Sequence, residues 1–124
     1  MKAMILAAGE GRRMCSELPK PLHEIRGLCL IEHRILALAA SGIDEIVINL
    51  HHKAQEIQKR LGDGSEYGIK ISYLVEETLM NTGGGIVNAL PILGEGPFIV
   101  VNADVWTDFD FNQLRLGPGA LAHL

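Results

Sequence analysis

The sequence has 124 residues, and its 48% of hydrophobic residues is enough for one domain with a buried core. Its formal net charge of −4 argues against a nucleic-acid-binding protein, which would normally carry a basic face. The 5% of aromatic residues are too few for base stacking on several rings. The sequence has no paired-cysteine motif and no apolar run near the ~20 residues of a membrane span, and its first residues look like a strand rather than a signal peptide. These features favour a cytoplasmic protein with reduced thiols.

The first predicted element is a strand at residues 2–8, apolar on both faces, as expected for a central parallel strand covered by helices on both sides. Residues 9–28 are interrupted by Gly and Pro and are predicted to be an irregular loop. Helix-like periodicity and short apolar runs then alternate to the end of the chain. Helices are predicted at residues 30–40, 53–61 and 82–90, and further strands at residues 43–50, 69–75 and 97–102.

This alternation predicts an α/β fold with a parallel central sheet, right-handed crossovers and helices on both faces. Residues 110–116 have the composition of one or two helical turns, and residues 120–124 look like the beginning of another strand. We therefore expect residues 1–124 to be the N-terminal portion of a longer domain. A sheet edge left bare at that point favours self-association.

The most informative segment is the loop after the first strand. Gly9 and Gly11 let the backbone turn sharply and let its N–H groups approach a ligand, because no Cβ stands in the way. Arg13 and Lys20 follow, and fixed cations beside a glycine turn suit a phosphate chain. Arg12 is either a second phosphate contact or a solvent-facing neighbour. The segment lacks the third glycine of a dinucleotide-binding motif and the Gly-Lys-Ser/Thr of a P-loop, which disfavours a dinucleotide-dependent oxidoreductase.

A second candidate site residue is Asp104, which comes directly after the last predicted strand. In such sheets ligands bind at the carboxyl ends of the strands, so Asp104 and the glycine loop are expected at the same edge. A carboxylate there suits Mg²⁺, and a turn or helix-capping role is the alternative. His51 and His52 are a poor metal pair, because adjacent side chains after a strand point apart. Glu76 and its neighbour Glu77 are predicted to be solvated loop acids.

Together these segments resemble a known family. Residues 6–14 read Leu-Ala-Ala-Gly-Glu-Gly-Arg-Arg-Met and residues 19–22 read Pro-Lys-Pro-Leu. Both match the signature loop of the sugar-1-phosphate nucleotidyltransferases, or NDP-sugar pyrophosphorylases. Residues 102–104, Asn-Ala-Asp, resemble the Asn-Gly-Asp metal motif of that family. The resemblance covers essentially the whole sequence.

Within the family the sequence resembles more than one branch. Residues 82–86 and 105–111 look most like the N-acetylmuramate-1-phosphate uridylyltransferases, whereas residues 14–20 resemble the N-acetylglucosamine-1-phosphate enzymes. Two positions depart from the family pattern. Residues 27–29 read Gly-Leu-Cys where the family usually has Gly-Lys-Pro, and Ala103 replaces a glycine.

The resemblance implies a Rossmann-like nucleotidyltransferase fold and a reaction of sugar-nucleotide and cell-wall biosynthesis. A nucleoside monophosphate, with UMP from UTP favoured, would pass to a sugar 1-phosphate with release of pyrophosphate. The resemblance also implies three roles. Arg13 would hold the β- and γ-phosphates, Lys20 would bridge the α-phosphate and the sugar phosphate, and Asp104 would carry Mg²⁺.

The nucleotide-binding residues implied by the resemblance lie in two segments. Ala8, Gly9 and Gly11 would contact the nucleotide through backbone groups, and Thr82 and Gly83 would lie near the base. The alternative for the second segment is an N-cap followed by a permissive glycine turn.

Two alternatives stay open at this point. A cytidylyltransferase that makes a CDP-alcohol would share this front half, and a truncated, non-catalytic nucleotide-binding module is the rival from a different class. The sugar-binding segments and the second metal ligand of the family come after the part that matches. We therefore expect these residues by themselves to bind nucleotide weakly and to turn over little sugar phosphate.

Overall fold

The structure is a computed structural model that describes residues 1–8, 24–25, 27–51, 53–78 and 82–103. Among these residues the main feature is a four-stranded parallel sheet with helices packed against it. None of the described helices is long and apolar enough to cross a membrane. In chain order the elements are β1 (Lys2–Leu6), β2 (Glu24–Ile25), β3 (Leu28–Cys29), α1 (Leu30–Ala40), β4 (Glu45–Leu50), α2 (Ala54–Leu61), a short 3₁₀ helix (Ser65–Tyr67), β5 (Lys70–Val75), α3 (Thr82–Leu93) and β6 (Phe98–Asn102).

The strand order of the sheet is β5-β4-β1-β6, and every neighbouring pair is parallel. β1 and β4 occupy the middle, where an apolar side chain is covered whichever face it points to. Met4 and Ile5 of β1, and Val47 and Ile48 of β4, have no solvent exposure. The predicted parallel sheet with the first strand in a central position is confirmed.

Side chains that alternate along the strands form two apolar layers. On one face Ile5 and Ile48 belong to a cluster that includes residues of α1 and α2, with Ile35 among them. On the other face Met4 and Val47 join a smaller cluster with residues of α3. The predicted arrangement of helices on both faces is therefore confirmed as well.

The predicted helices agree closely with the observed ones. α1 has the predicted bounds, and α2 begins at Ala54, one residue later than predicted. α3 continues to Leu93, beyond the predicted end at residue 90, because Pro91 lies in the last turn, where a missing N–H removes one hydrogen bond at most. Gly94, with a φ of +80°, ends the helix and donates its N–H to the Leu90 carbonyl at 2.9 Å.

The prediction of an irregular loop at residues 9–28 is wrong for its last part. β2 and β3 pair as a small antiparallel hairpin, with Glu24 opposite Cys29. Gly27 lies between the two strands with a φ of +85°, a backbone conformation that glycine adopts without strain. Strands of two residues are too short to produce a periodic pattern in the sequence. Residues 9–23 lie outside the described residues.

A buried carboxylate joins the elements on the α1 and α2 face. Glu32 is 6% exposed, and its Oε1 accepts hydrogen bonds from the Cys29 N–H (3.2 Å), the Cys29 thiol (3.0 Å) and Arg60 Nη2 (2.9 Å). Its Oε2 accepts a hydrogen bond from the Tyr67 hydroxyl at 3.0 Å. Burial raises the pKa of Glu32, but the hydrogen bonds from Cys29, Arg60 and Tyr67 outweigh burial and lower it to about 2. The ionised carboxylate ties the start of α1 to α2 and to the 3₁₀ helix.

Candidate functional site at the carboxyl edge of the sheet

All four parallel strands end at one edge of the sheet. The register places Leu6 beside both Asn49 and Asn102, and it places Asn49 beside Leu74. The predicted site residues follow β1, β5 and β6 in the sequence, whereas β4 is followed by His51. In open α/β sheets the carboxyl edge is where ligands bind, and it is the edge on which the sequence predicted the site.

The structure places three of the predicted site residues. Ala8 follows β1 and is 6% exposed, whereas Thr82 and Gly83 are the exposed first residues of α3. The remaining predicted site residues lie outside the described part of the chain, and their roles stay predictions: Gly9, Gly11, Arg13, Lys20 and Asp104.

The segment after β6 lies beside the end of β1. Ala103 is 1% exposed, and its N–H donates to the Leu6 carbonyl at 3.0 Å. This bond extends the ladder between β1 and β6 by one residue past Asn102. Ala8 and Ala103, the last described residues before the glycine loop and before the predicted metal ligand, are therefore at the same edge of two neighbouring strands.

A buried polar pair lies beneath this edge, and the sequence did not predict it. Asn49 is 4% exposed near the end of β4, and its Oδ1 accepts the Ala7 N–H at 2.9 Å. Its Nδ2 donates to Glu76 Oε1 at 3.0 Å. Burying an amide is costly unless it is hydrogen-bonded, and here the oxygen and the nitrogen both have a protein partner.

Glu76 corrects a prediction made from the sequence. It is 3% exposed and therefore is not a solvated loop acid, whereas Glu77 is exposed as predicted. Its backbone N–H donates to the Leu50 carbonyl at 2.7 Å, which extends the ladder between β4 and β5. Its side chain turns inward because Asn49 offers a donor there. An acid directly after a strand gives no sign of this in the sequence.

His51 also makes a hydrogen bond at this edge. Its Nδ1 lies 2.7 Å from the Glu76 carbonyl oxygen, and since a carbonyl can only accept, Nδ1 is the donor. His52 lies outside the described residues. Within the described ranges no group of three or more His, Cys, Asp or Glu side chains could hold a metal ion. Mg²⁺ binding at Asp104 stays a prediction.

The beginning of α3 packs directly on the buried pair. A Cβ on Gly85 would lie 2.9 Å from Asn49 Nδ2 and 3.3 Å from Glu76 Oε1, so no larger side chain fits without a shift. Packing therefore explains the last glycine of the run. Gly83, two residues earlier, is exposed. The carboxylate of Glu76 lies near the first turns of α3, where the helix dipole favours a negative charge.

One signal for this pair was present in the sequence. Asn49 is the only polar residue between Ile46 and Leu50, and an amide that interrupts a central apolar strand needs partners. Its partners could not be identified, because Ala7 and Glu76 come from distant parts of the chain.

A parallel sheet covered on both faces, with glycine-rich and polar segments at its carboxyl edge, defines a Rossmann-like α/β protein. Comparison with known proteins refines this class. Residues 2–115 match the family described as nucleotidyl transferase, and the chain belongs to that family. The resemblance and the fold class predicted from the sequence are confirmed.

Similar proteins share this part of the fold. The chain is 50% identical over 115 residues to the N-acetylmuramate alpha-1-phosphate uridylyltransferase of Neisseria meningitidis serogroup B, a match that covers 90% of this chain and 50% of that protein. It is 34% identical over 115 residues to the mannose-1-phosphate guanylyltransferase of Mycobacterium tuberculosis, covering 90% of this chain and 32% of that protein. The crystal structure of HddC from Yersinia pseudotuberculosis complexed with GMP-PN matches with a TM-score of 0.80 at 27% identity, covering 90% of this chain and 51% of that one. The chain thus spans between 32% and 51% of the length of these proteins.

Proposed function

We propose that this chain supplies the nucleotide-binding part of a sugar-1-phosphate nucleotidyltransferase. The observation that carries the proposal is the match of residues 2–115 to the nucleotidyl transferase family. In the proposed reaction an oxygen of the sugar 1-phosphate attacks the α-phosphorus of a nucleoside triphosphate. The bond from the α-phosphorus to the oxygen that bridges to the β-phosphorus breaks in line. The products are an NDP-sugar and pyrophosphate.

The roles of the two cations follow from the charges in this reaction. Two polyanions must approach each other, so positioning and charge neutralisation matter more than a proton-transfer base. Arg13 holds the β- and γ-phosphates that become pyrophosphate, and Lys20 bridges the α-phosphate and the incoming sugar phosphate. Mg²⁺, when bound, neutralises further phosphate charge, and Asp104 is the carboxylate that would hold it.

In the described part of the chain, backbone groups at two places are proposed to contact the nucleotide. Ala8 leads from β1 into the glycine loop, and Thr82 and Gly83 are exposed at the beginning of α3. The first N–H groups of a helix have no partner within the helix, and a turn without bulky side chains leaves them open to a ligand. This arrangement favours a binding mode in which the base of the nucleotide lies against the first turn of α3.

The choice of substrates rests on the similar proteins. The 50% identity to a uridylyltransferase that acts on N-acetylmuramate alpha-1-phosphate favours UTP and that sugar phosphate. A guanylyltransferase at 34% identity makes GTP the main competitor. We place the reaction in the cytoplasm, where nucleoside triphosphates are available.

The experiment measures pyrophosphate release by the product of the complete native reading frame. UTP, GTP, CTP and dTTP are each supplied with Mg²⁺ and with N-acetylmuramate, N-acetylglucosamine or mannose 1-phosphate. We expect UTP to be preferred and Lys20→Ala to lower kcat/KM by ~100-fold or more, since a displaced phosphate reacts slowly. Lys59→Ala is the matched control, because Lys59 is exposed on α2. Near wild-type activity in Lys20→Ala would refute the assigned role, and a preference for CTP over the other nucleotides would favour the cytidylyltransferase alternative.

A second candidate function applies to the 124 residues by themselves, namely nucleotide binding without turnover. It is favoured by the fact that the chain spans 50% of the uridylyltransferase it matches. Calorimetric titration of the 124-residue chain with UTP, together with the pyrophosphate assay, separates the two candidates. Size-exclusion chromatography of the same sample tests the predicted self-association. Multiple turnover by these residues would exclude the second candidate.

A further inference from the structure

We propose that Asn49 and Glu76 are positioning residues that hold the phosphate loop and the base-side segment in one fixed arrangement. The inference rests on the proposed function, because it assigns to these two side chains the alignment of that nucleotide site. Neither side chain is predicted to touch the nucleotide. They act through Ala7 on one side and through Gly85 on the other.

The first step concerns the exit of the chain from β1. The backbone of Leu6 still pairs with both neighbouring strands. The next N–H, that of Ala7, donates to the side chain of Asn49 at 2.9 Å. The direction in which the chain enters the glycine loop is therefore set by a side chain at the end of β4.

The second step concerns how firmly this side chain is held. The amide nitrogen of Asn49 donates to Glu76 Oε1 at 3.0 Å. The backbone of Glu76 is fixed in turn, because its N–H donates to Leu50 at 2.7 Å and its carbonyl accepts from His51 at 2.7 Å. Glu76 is 3% exposed, so water competes little for these groups. Asn49 thus rests on a side chain whose own position is fixed by β4.

The third step concerns α3. Gly85 is buried against the same two side chains, with room for a hydrogen but not for a Cβ. The position of Gly85 along the helix fixes Thr82 and Gly83, which precede it by less than one turn. A shift of Asn49 or Glu76 towards Gly85 would therefore displace the segment proposed to face the base.

These steps join two parts of the proposed nucleotide site. Ala7 at the exit of β1 and Gly85 at the beginning of α3 are far apart in sequence, yet both contact one amide–carboxylate pair. A nucleotide that spans phosphate loop and base-side segment requires a fixed distance between them. A displacement of ~1 Å costs ~100-fold in rate when reacting groups must be aligned.

The test replaces the amide by an apolar side chain of similar size in the product of the complete native reading frame. We expect Asn49→Leu to lower kcat/KM for UTP by ~10- to 100-fold, with a raised KM for UTP and little change in KM for the sugar phosphate. Glu76→Gln keeps an acceptor for Asn49 and should retain most of the activity. Asn88→Leu is the matched control, because Asn88 is exposed on α3.

Gly85→Ala provides a variant that keeps both polar side chains. The added methyl group collides with Asn49 Nδ2, and we expect a higher KM for UTP with a folded protein by circular dichroism. Gly96→Ala is its control, because a Cβ there meets nothing within 4 Å. If Asn49→Leu does not fold, Gly85→Ala still tests the positioning role.

The outcomes separate the two proposals. If the wild-type protein releases pyrophosphate and both Asn49→Leu and Gly85→Ala keep the wild-type KM for UTP, the positioning role is refuted and the proposed function stands. The same holds if the variants only lower the urea midpoint of unfolding and the folded fraction keeps wild-type kinetics. If the wild-type protein neither binds nor turns over any nucleotide, the proposed function fails and the positioning role falls with it.

Discussion

Two buried carboxylates, Glu32 and Glu76, lie in different parts of the fold. Glu32 is 6% exposed and faces a cation, Arg60, at 2.9 Å. Glu76 is 3% exposed, and its side chain accepts a hydrogen bond from the neutral amide of Asn49. The first joins helices on the α1 and α2 face of the sheet, and the second lies under the edge where the strands end.

The difference separates groups that hold the fold from groups that align the site. The partners of Glu32 come from the end of β3, from α2 and from the 3₁₀ helix, all of which are structural elements. The pair of Glu76 and Asn49 instead reaches Ala7 and Gly85, which lead into the segments proposed to bind nucleotide. Mutation of the first carboxylate should therefore change stability, and mutation around the second should change kinetics.

The largest expected effect is the loss of the Glu32 charge. Glu32→Gln keeps the size of the side chain, but it removes the negative charge opposite Arg60 and places an NH₂ group among hydrogen-bond donors. We expect the free energy of unfolding to fall by about 3 kcal/mol, since the buried carboxylate loses the charge that strengthens its hydrogen bonds from Cys29, Arg60 and Tyr67. Urea unfolding at neutral pH measures this change.

The same substitution at Glu76 sharpens the comparison. Glu76→Gln leaves an oxygen to accept from Asn49, so this hydrogen bond is kept and we expect a smaller loss of stability than in Glu32→Gln. An equal loss of stability in the Glu32 and Glu76 variants would contradict the division into a fold-holding and a site-aligning carboxylate.

The second expected effect is a loss of stability in acid that depends on Glu32. Its pKa is about 2 in the folded protein against an ordinary value of 4.5, so the unfolded chain binds the proton first as the pH falls. The stabilisation is fully present above pH 4.5 and is lost as the pH falls towards about 2. Between pH 6 and pH 3 we expect the wild-type protein to lose about 2 kcal/mol more of its free energy of unfolding than the Glu32→Gln variant loses. The measurement is urea unfolding of both proteins at pH 6 and pH 3, and parallel pH curves would contradict the assignment.

The sequence predicted the sheet well because its central strands are covered on both faces. Such strands read as continuous apolar runs, which few other elements produce, and the runs around Met4 and Val47 correspond to β1 and β4. The hairpin of β2 and β3 was missed, because two-residue strands depend on pairing and on Gly27 rather than on a periodic pattern. The predicted end of α3 at residue 90 was too early, because Pro91 is tolerated in the last turn of the helix.

The sequence supported hypotheses about the site only where neighbouring residues along the chain carry the chemistry, and those hypotheses stay predictions. The glycine loop and the Thr82 segment each consist of consecutive residues, so their resemblance to a family can be recognised from the sequence alone. The Glu32 network and the pair of Asn49 and Glu76 join residues that the chain brings together only when the sheet forms. A sequence does not distinguish a buried acid from a solvated one. For this reason Glu76, which is 3% exposed, was predicted to be a solvated loop residue.

The smallest expected effect comes from the second partner of Arg60. Arg60 Nη2 lies 3.6 Å from Glu24 Oε1, but both side chains are largely in solvent, with 44% and 59% exposure. Water screens such a pair, and holding two long side chains together costs conformational entropy. Glu24→Gln should therefore change the free energy of unfolding by less than about 0.5 kcal/mol, and 0.5 M salt should remove the difference from wild type. One cation would then bind two carboxylates with very different consequences. If Glu24→Gln destabilised the protein as much as Glu32→Gln, charge alone and not burial would determine the contribution of a carboxylate here.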